Sequence, residues 1–146
     1  MILLDTNVIS EMMRPRTDPV VAAWFRKQPA DEIWTSSVVI AELLSGIDLM
    51  PAGRKQKALR EDVERMIKED FRGRILVFDL DAARQYGQIL SARQRIGRPI
   101  NEMDAEIAAV AKAHSADLAT RNRSDFLACG LTLIDPWASP AVRSRR

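Results

Sequence analysis

Asp5, Glu42, Asp104 and Asp125 are spread along the chain, yet each stands where the hydropathy pattern ends a strand or begins a helix. Ile2-Leu3-Leu4 reads as a short buried strand, and Asp5-Thr6-Asn7 follows it at once. Ligands of an open parallel sheet bind beyond the carboxyl ends of its strands, so a carboxylate at that point faces the crevice where chemistry is done. Acids gathered there repel one another: two like charges about 4 Å apart cost on the order of 4 kcal/mol at an effective dielectric of about 20. A divalent cation removes that cost, and donors made only of oxygen favour Mg²⁺ or Mn²⁺, which bind phosphate oxygens while keeping several waters. Such an ion can activate water and stabilise charge on a phosphoryl group.

Further oxygen donors surround the four acids. Thr6 follows Asp5, and Thr120-Arg121-Asn122-Arg123-Ser124-Asp125 offers a hydroxyl, an amide oxygen and a carboxylate after a short strand. Glu42 lies beside the apolar face of its helix. Asp104 falls in the first turn of another helix, three residues after the capping Asn101. Glu102 and Glu106 flank Asp104, but helix positions two apart point in different directions, so they are expected to turn aside.

Other chemistries find little support. The six glycines form neither a Gly-x-Gly-x-x-Gly turn nor a Walker A loop. Cys129 is the only cysteine and His114 the only histidine, which excludes a zinc-type cluster and an internal disulfide. A nucleophilic triad would have to draw His114 from the middle of a helix toward a serine that nothing marks. The formal charge is +2, and arginine supplies 17 of the 22 basic residues. An acidic pocket in a mildly basic body suits a polyanionic substrate.

The elements that position these residues alternate. After the first strand, Asp18-Pro19 marks a helix start leading into Val20, Val21, Trp24 and Phe25, which Pro29 ends. Ile33-Trp34-Thr35 is a second strand, and Ser36 or Ser37 caps a helix carrying Val39, Ile40, Leu43, Leu44 and Ile47. Arg54 to Arg72 is predicted as a helix with a narrow stripe of Leu59, Val63, Met66 and Ile67. Ile75 to Phe78 is a third strand, followed by a helix from Asp79–Asp81 to about Ile96. Asn101 caps an alanine-rich helix through His114, and Asp117 to Thr120 and Leu131 to Ile134 supply two more strands. Alternation of this kind predicts an α/β fold with a parallel sheet between helices.

With 146 residues, 47% apolar and 29% charged, one domain suffices. It is expected over residues 1–137, with a loose, arginine-rich tail over 138–146. No apolar run is long enough to cross a bilayer. Asp5 interrupts the opening apolar run and no basic segment precedes it, so no signal peptide and a cytoplasmic location are expected.

Taken together, LLDTN, SSVVIAEL around Glu42, MDAEIAAVA around Asp104 and LATRNRSDF resemble the PIN-domain ribonucleases. The resemblance is closest to the VapC-type toxins, including the FitB-like branch, and runs from Met1 to about Trp137. It implies a three-layer α/β/α sandwich with a short parallel sheet. It also implies a Mg²⁺- or Mn²⁺-dependent endoribonuclease that cuts RNA with metal-activated water, is neutralised by a cognate antitoxin and forms a homodimer and a toxin–antitoxin hetero-oligomer. By the same resemblance Asp5 and Asp104 bind the principal metal, Glu42 holds it or orients its water, and Asn122 or Asp125 completes a second site. Thr6 and Thr120 serve as hydroxyl supports. Two other functions compete: a catalytically inactive protein of the same fold that only binds, and a phosphatase or phosphoacceptor domain with an aspartate nucleophile.

Overall fold

A computed structural model describes residues 1–138. The tail expected over 138–146 lies outside the described residues apart from Ala138. Five strands, β1 (Ile2–Leu4), β2 (Ile33–Ser36), β3 (Ile75–Leu76), β4 (Asp117–Ala119) and β5 (Leu133–Ile134), form one sheet in the order β3-β2-β1-β4-β5. Every pairing is parallel, with Leu3 opposite both Trp34 and Leu118, and Ala119 opposite Ile134. Among the described residues six α-helices flank the sheet: α1 (Thr6–Met12), α2 (Pro19–Arg26), α3 (Ser37–Asp48), α4 (Arg54–Arg65), α5 (Leu80–Arg95) and α6 (Glu102–Ala113). The result is the expected three-layer α/β/α sandwich.

Helix starts follow the capping chemistry of the sequence. Asp18 accepts from the Val20 amide, Ser36 from Val39, Asp79 from Ala82 and Asn101 from Asp104. The core is continuous from Leu3 and Leu4 on the central strand to Val39, Val63, Ile89, Ile107, Leu118 and Phe126. Alanines fill much of the buried length of α6, where Ala105, Ala108, Ala109 and Ala111 are all inaccessible. Short side chains there let the helix lie close to its neighbours.

Several boundaries differ from the sequence reading. α1 was not expected, because no turn residue separates it from β1; the chain passes from strand to helix through Asp5 itself. β3 stops at Leu76, since its only partner, β2, ends at Ser36 to cap α3. Val77 and Phe78, expected in the strand, are therefore left 55% and 38% exposed. The helix expected to Arg72 is α-helical only to Arg65. Met66–Asp70 widens into a π-type turn closed by the Phe71 amide on the Met66 carbonyl.

Two buried polar side chains contrast. Arg93 is only 4% exposed and has no carboxylate, yet its Nε donates to the Arg98 carbonyl and its Nη1 to the carbonyls of Asp125 and Leu127. It ties the end of α5 to the loop that carries Asp125. Thr35, fully buried in β2, leaves its hydroxyl without any partner. A buried hydroxyl that makes no hydrogen bond is a net cost. Thr35→Val, of the same shape, should raise unfolding free energy by about 1 kcal/mol. Urea unfolding checks this, and a lowered midpoint would mean that the hydroxyl is satisfied by a buried water.

Candidate active site

At the carboxyl end of the central strands a crevice of about 460 Å³ opens, with Asp5, Glu42 and Asp104 among its walls. Asp5 is placed by covalent necessity, since it is the residue after β1 and the N-cap of α1. It is 4% exposed. Its Oδ1 accepts from the Thr6 amide at 2.8 Å, and its Oδ2 accepts from the Thr120 hydroxyl at 2.8 Å and the Asn7 amide at 3.2 Å. Thr120 directly follows β4, the strand beside β1, so sheet register delivers that hydroxyl. Burial nevertheless outweighs these donors and raises the Asp5 pKa, with Glu42 adding repulsion.

Glu42 sits midway along α3, not at its start, and reaches the crevice through Thr6, whose hydroxyl donates to Oε2 at 2.6 Å. Asp104 occupies the first turn of α6. Its amide donates to the Asn101 Oδ1 at 2.8 Å while the Asn101 Nδ2 donates to its own Oδ2 at 2.8 Å, a reciprocal cap that fixes its rotamer. Burial first, then the charges of Asp5, Asp125 and Glu42, push the Asp104 carboxyl up to about 6 against the lowering effect of Asn101.

The fourth segment divides. Asn122 lines the crevice, and its amide donates to the Thr120 hydroxyl at 3.1 Å. Asp125 is exposed in a short 3-10 turn and does not line the crevice, although its charge is felt at Asp104. Glu102 and Glu106 are not on the crevice walls; both act on Tyr86, on α5. His114 has its Nε2 buried without a hydrogen bond, 3.7 Å from Asp79, and does not line the crevice.

Other crevice residues escaped the sequence reading. Asn7 donates to the Thr120 hydroxyl at 3.3 Å as well as to Asp5, and its Oδ1 accepts from the Arg121 amide at 3.2 Å, which seams α1 to the β4 loop. Its place right after the strand-end acid was the available signal. Glu11 is buried on α1, where the Asp18 amide and the Arg14 guanidinium hold its carboxyl below the usual carboxylate range. Arg121 and Trp137 form another wall. A larger cavity of about 690 Å³, lined by Leu4, Ile9, Met12, Phe25 and Met66 among others, lies away from Asp5, Glu42 and Asp104. Its lining is mainly apolar, so the smaller crevice is the chemical one.

Comparison with known proteins is decisive for the family. The family model described as PIN domain matches residues 2–128. The chain belongs to the PIN-domain family. These are nucleases that act on RNA. Its sequence is 40% identical over 137 residues to the VapC ribonuclease Y4jK of Sinorhizobium fredii, covering 94% of this chain and 98% of that one. It is 42% identical to toxin FitB of Neisseria gonorrhoeae over 94% of this chain and 99% of that one. Among solved structures, FitAB bound to the IR36 DNA fragment superposes with a TM-score of 0.88 at 40% identity, covering 96% of this chain and 98% of that one. FitAcB from Neisseria gonorrhoeae gives a TM-score of 0.86 at 42% identity, over 94% of this chain and 99% of that one.

PIN-domain ribonucleases are in general dependent on divalent metals, and the donor set of this PIN domain suits such an ion. The acids are oxygen donors from separate segments, and burial first, then the charges of its acidic neighbours, raises the Asp104 pKa to about 6, an environment that positive charge would relieve. Among the described residues no three Asp, Glu, His or Cys side chains already form a cage. Mg²⁺ does not need one, since it commonly takes one or two carboxylates and keeps its waters.

A pH dependence follows. Between the ordinary value of 3.8 and about 6, the folded protein holds an Asp104 proton that the unfolded chain has already lost. Metal-free stability must therefore fall as pH rises through that window and level off above it. The raised Asp5 pKa acts in the same direction. Asp104→Asn should flatten much of the slope and stabilise the metal-free protein at neutral pH. Urea midpoints in EDTA at a series of pH values test it, and an unchanged slope would refute the electrostatic account.

Proposed function

We propose that this PIN domain is a Mg²⁺- or Mn²⁺-dependent endoribonuclease toxin, held inactive by a cognate antitoxin. The observation that carries the reading is that Asp5, Glu42 and Asp104, drawn from three separate segments, line one crevice beyond a parallel sheet. Relatives of 40% and 42% identity are named as a VapC ribonuclease and as toxin FitB, which supports both parts of the assignment.

Asp5 and Asp104 would hold the principal cation. Glu42 would hold it too or orient its water, with the Thr6 hydroxyl fixing which oxygen is free. When bound, Mg²⁺ or Mn²⁺ supplies charge neutralisation at a phosphodiester and a water of lowered pKa. The chain's own part is to keep the carboxylates aimed. Thr120 and Asn7 hold Asp5, Asn101 holds Asp104, and Asn122 lines the crevice from the fourth segment. Asp125, tethered through its carbonyl to Arg93, adds negative charge from outside the wall. We assign the fourth position to Asn122 and a supporting electrostatic role to Asp125.

A phosphoacceptor role fits less well. Both oxygens of Asp5 already accept hydrogen bonds, Oδ2 from two donors, which leaves the carboxylate a poor nucleophile. No described helix is long and apolar enough to cross a membrane. We place the protein in the cytoplasm, as a homodimer that joins its antitoxin in a hetero-oligomer. The related FitAB and VapBC structures are of toxin–antitoxin complexes, which supports such a partner.

Asp5→Asn should lower RNA cleavage by more than about a hundredfold, beyond what losing a supporting group around a metal costs, while circular dichroism stays native. Wild-type cleavage should require Mg²⁺ or Mn²⁺ and stop on adding EDTA. Full turnover in Asp5→Asn, or in EDTA, would overturn the metal-dependent site at Asp5, and no cleavage by the wild-type protein would overturn the nuclease reading. Separately, expression of the protein alone should arrest growth, and co-expression of a small neighbouring reading frame should relieve it. Indifference to that neighbour would remove the antitoxin while leaving the nuclease in place.

A further inference from the structure

We propose that Arg121 and Trp137 form a stacking platform for an unpaired nucleotide next to the phosphate under attack. The proposal rests on the nuclease reading and adds to it a subsite for single-stranded RNA.

Sheet register builds the platform. β4 and β5 are neighbours, with Ala119 opposite Ile134, and the Thr120 amide donates to the Ile134 carbonyl at 2.9 Å. Both strands end on the crevice side, so Arg121 and Trp137 emerge together. A tight turn mounts the ring: Asp135 Oδ1 accepts from the Trp137 amide at 2.9 Å, the Asp135 carbonyl accepts from the Ala138 amide at 3.1 Å, and Pro136 between them is buried. Aspartate followed by proline is the favoured opening of such a turn. The indole is therefore held before any ligand arrives.

The guanidinium of Arg121 lies over that ring, 5.0 Å from its centroid. Among the described residues Arg121 enters no ion pair, although four acids, Asp5, Glu11, Glu42 and Asp104, line the same crevice. By contrast Arg14, on the same crevice, is already paired with Glu11. An exposed guanidinium resting on an indole keeps its in-plane N–H groups free for a phosphate, while the two flat faces accept a base. Unpaired bases in RNA are taken up by this combination of aromatic and arginine planes, and duplex bases, being already stacked, are not. The crevice thus couples an acidic floor, which needs a cation, to one wall with a free positive charge.

The test uses the full chain carrying Asp5→Asn, with a fluorescein-labelled single-stranded RNA of random sequence and the same strand annealed to its complement, both followed by anisotropy in Mg²⁺. Trp137→Ala should weaken single-strand binding by about tenfold and Trp137→Phe by much less, with duplex binding unchanged. Arg121→Ala should lower the slope of log affinity against log salt by about 0.7, the loss of one phosphate contact on a single strand. Arg121→Lys should restore that slope. Because Arg121 is exposed, its variants report even where Trp137→Ala fails to fold. Unchanged single-strand affinity in both alanine variants would overturn the platform. So would equal loss on both probes. Metal-dependent cleavage by the wild-type protein is read independently, so its failure would fall on the nuclease assignment and not on this wall.

Discussion

The arrangement depends on a carboxylate kept where it is least welcome. Asp5 is nearly fully buried, at the junction of the central strand and the first helix, within reach of two further acids. An ionised carboxylate in such a place costs several kcal/mol unless donors or opposite charge compensate. Here the donors are local and unavoidable: the amide of the next residue, the Asn7 side chain one step on, and Thr120 from the neighbouring strand. They are neutral, so they hold the carboxylate in place without cancelling its charge. The remaining repulsion surfaces at Asp104, whose pKa rises because it is half-buried and faces the same negative field.

The fold is arranged around that constraint. A central parallel strand puts its last residue at the mouth of a crevice by geometry alone, and the order β3-β2-β1-β4-β5 places β1 between the strands that lead to α3 and to Thr120. Helix α6 approaches with its first turn, where the capping pair of Asn101 and Asp104 fixes a carboxylate against rotation. Arg93 secures the remaining loop from beneath by taking three carbonyls at once. A buried guanidinium without a carboxylate is tolerated because each carbonyl is a partial negative charge that would otherwise go unsatisfied in the interior.

Legibility in the sequence tracks how local the signal is. Strand β1 and Asp5 could be read directly, as an apolar triplet running into an acid, and the helix starts at Ser36 or Ser37, at Asp79–Asp81 and at Asn101 were nearly as plain. Length was harder. β3 ends where its partner bends away into α3, a fact about pairing that Ile75 to Phe78 does not contain. Helix α1 was hidden because Asp5 serves as strand terminus, helix cap and site residue together, and its capping role did not stand out. The convergence of the acids came from the resemblance as much as from pattern, since Glu42 in mid-helix looks like any surface glutamate.

What sequence reasoning could not reach was the pairing of Arg121 with Trp137. Composition makes a tryptophan a core residue and one arginine among 17 a solvated charge, and both defaults are sound for isolated positions. Only the pairing of Ala119 with Ile134 brings the two side chains to one edge, and pairing between distant strands leaves no mark in either segment. The consequence is chemical. A crevice lined by acids alone would repel a phosphodiester until a cation entered, and would then hold it only through that ion. A positive group lying on an aromatic ring at the rim attracts the same phosphodiester without neutralising the acids, because the ring keeps the guanidinium from collapsing onto them. Separation of the two charges, a negative floor for the metal and a positive rim for the substrate, lets one small pocket bind partners of opposite sign.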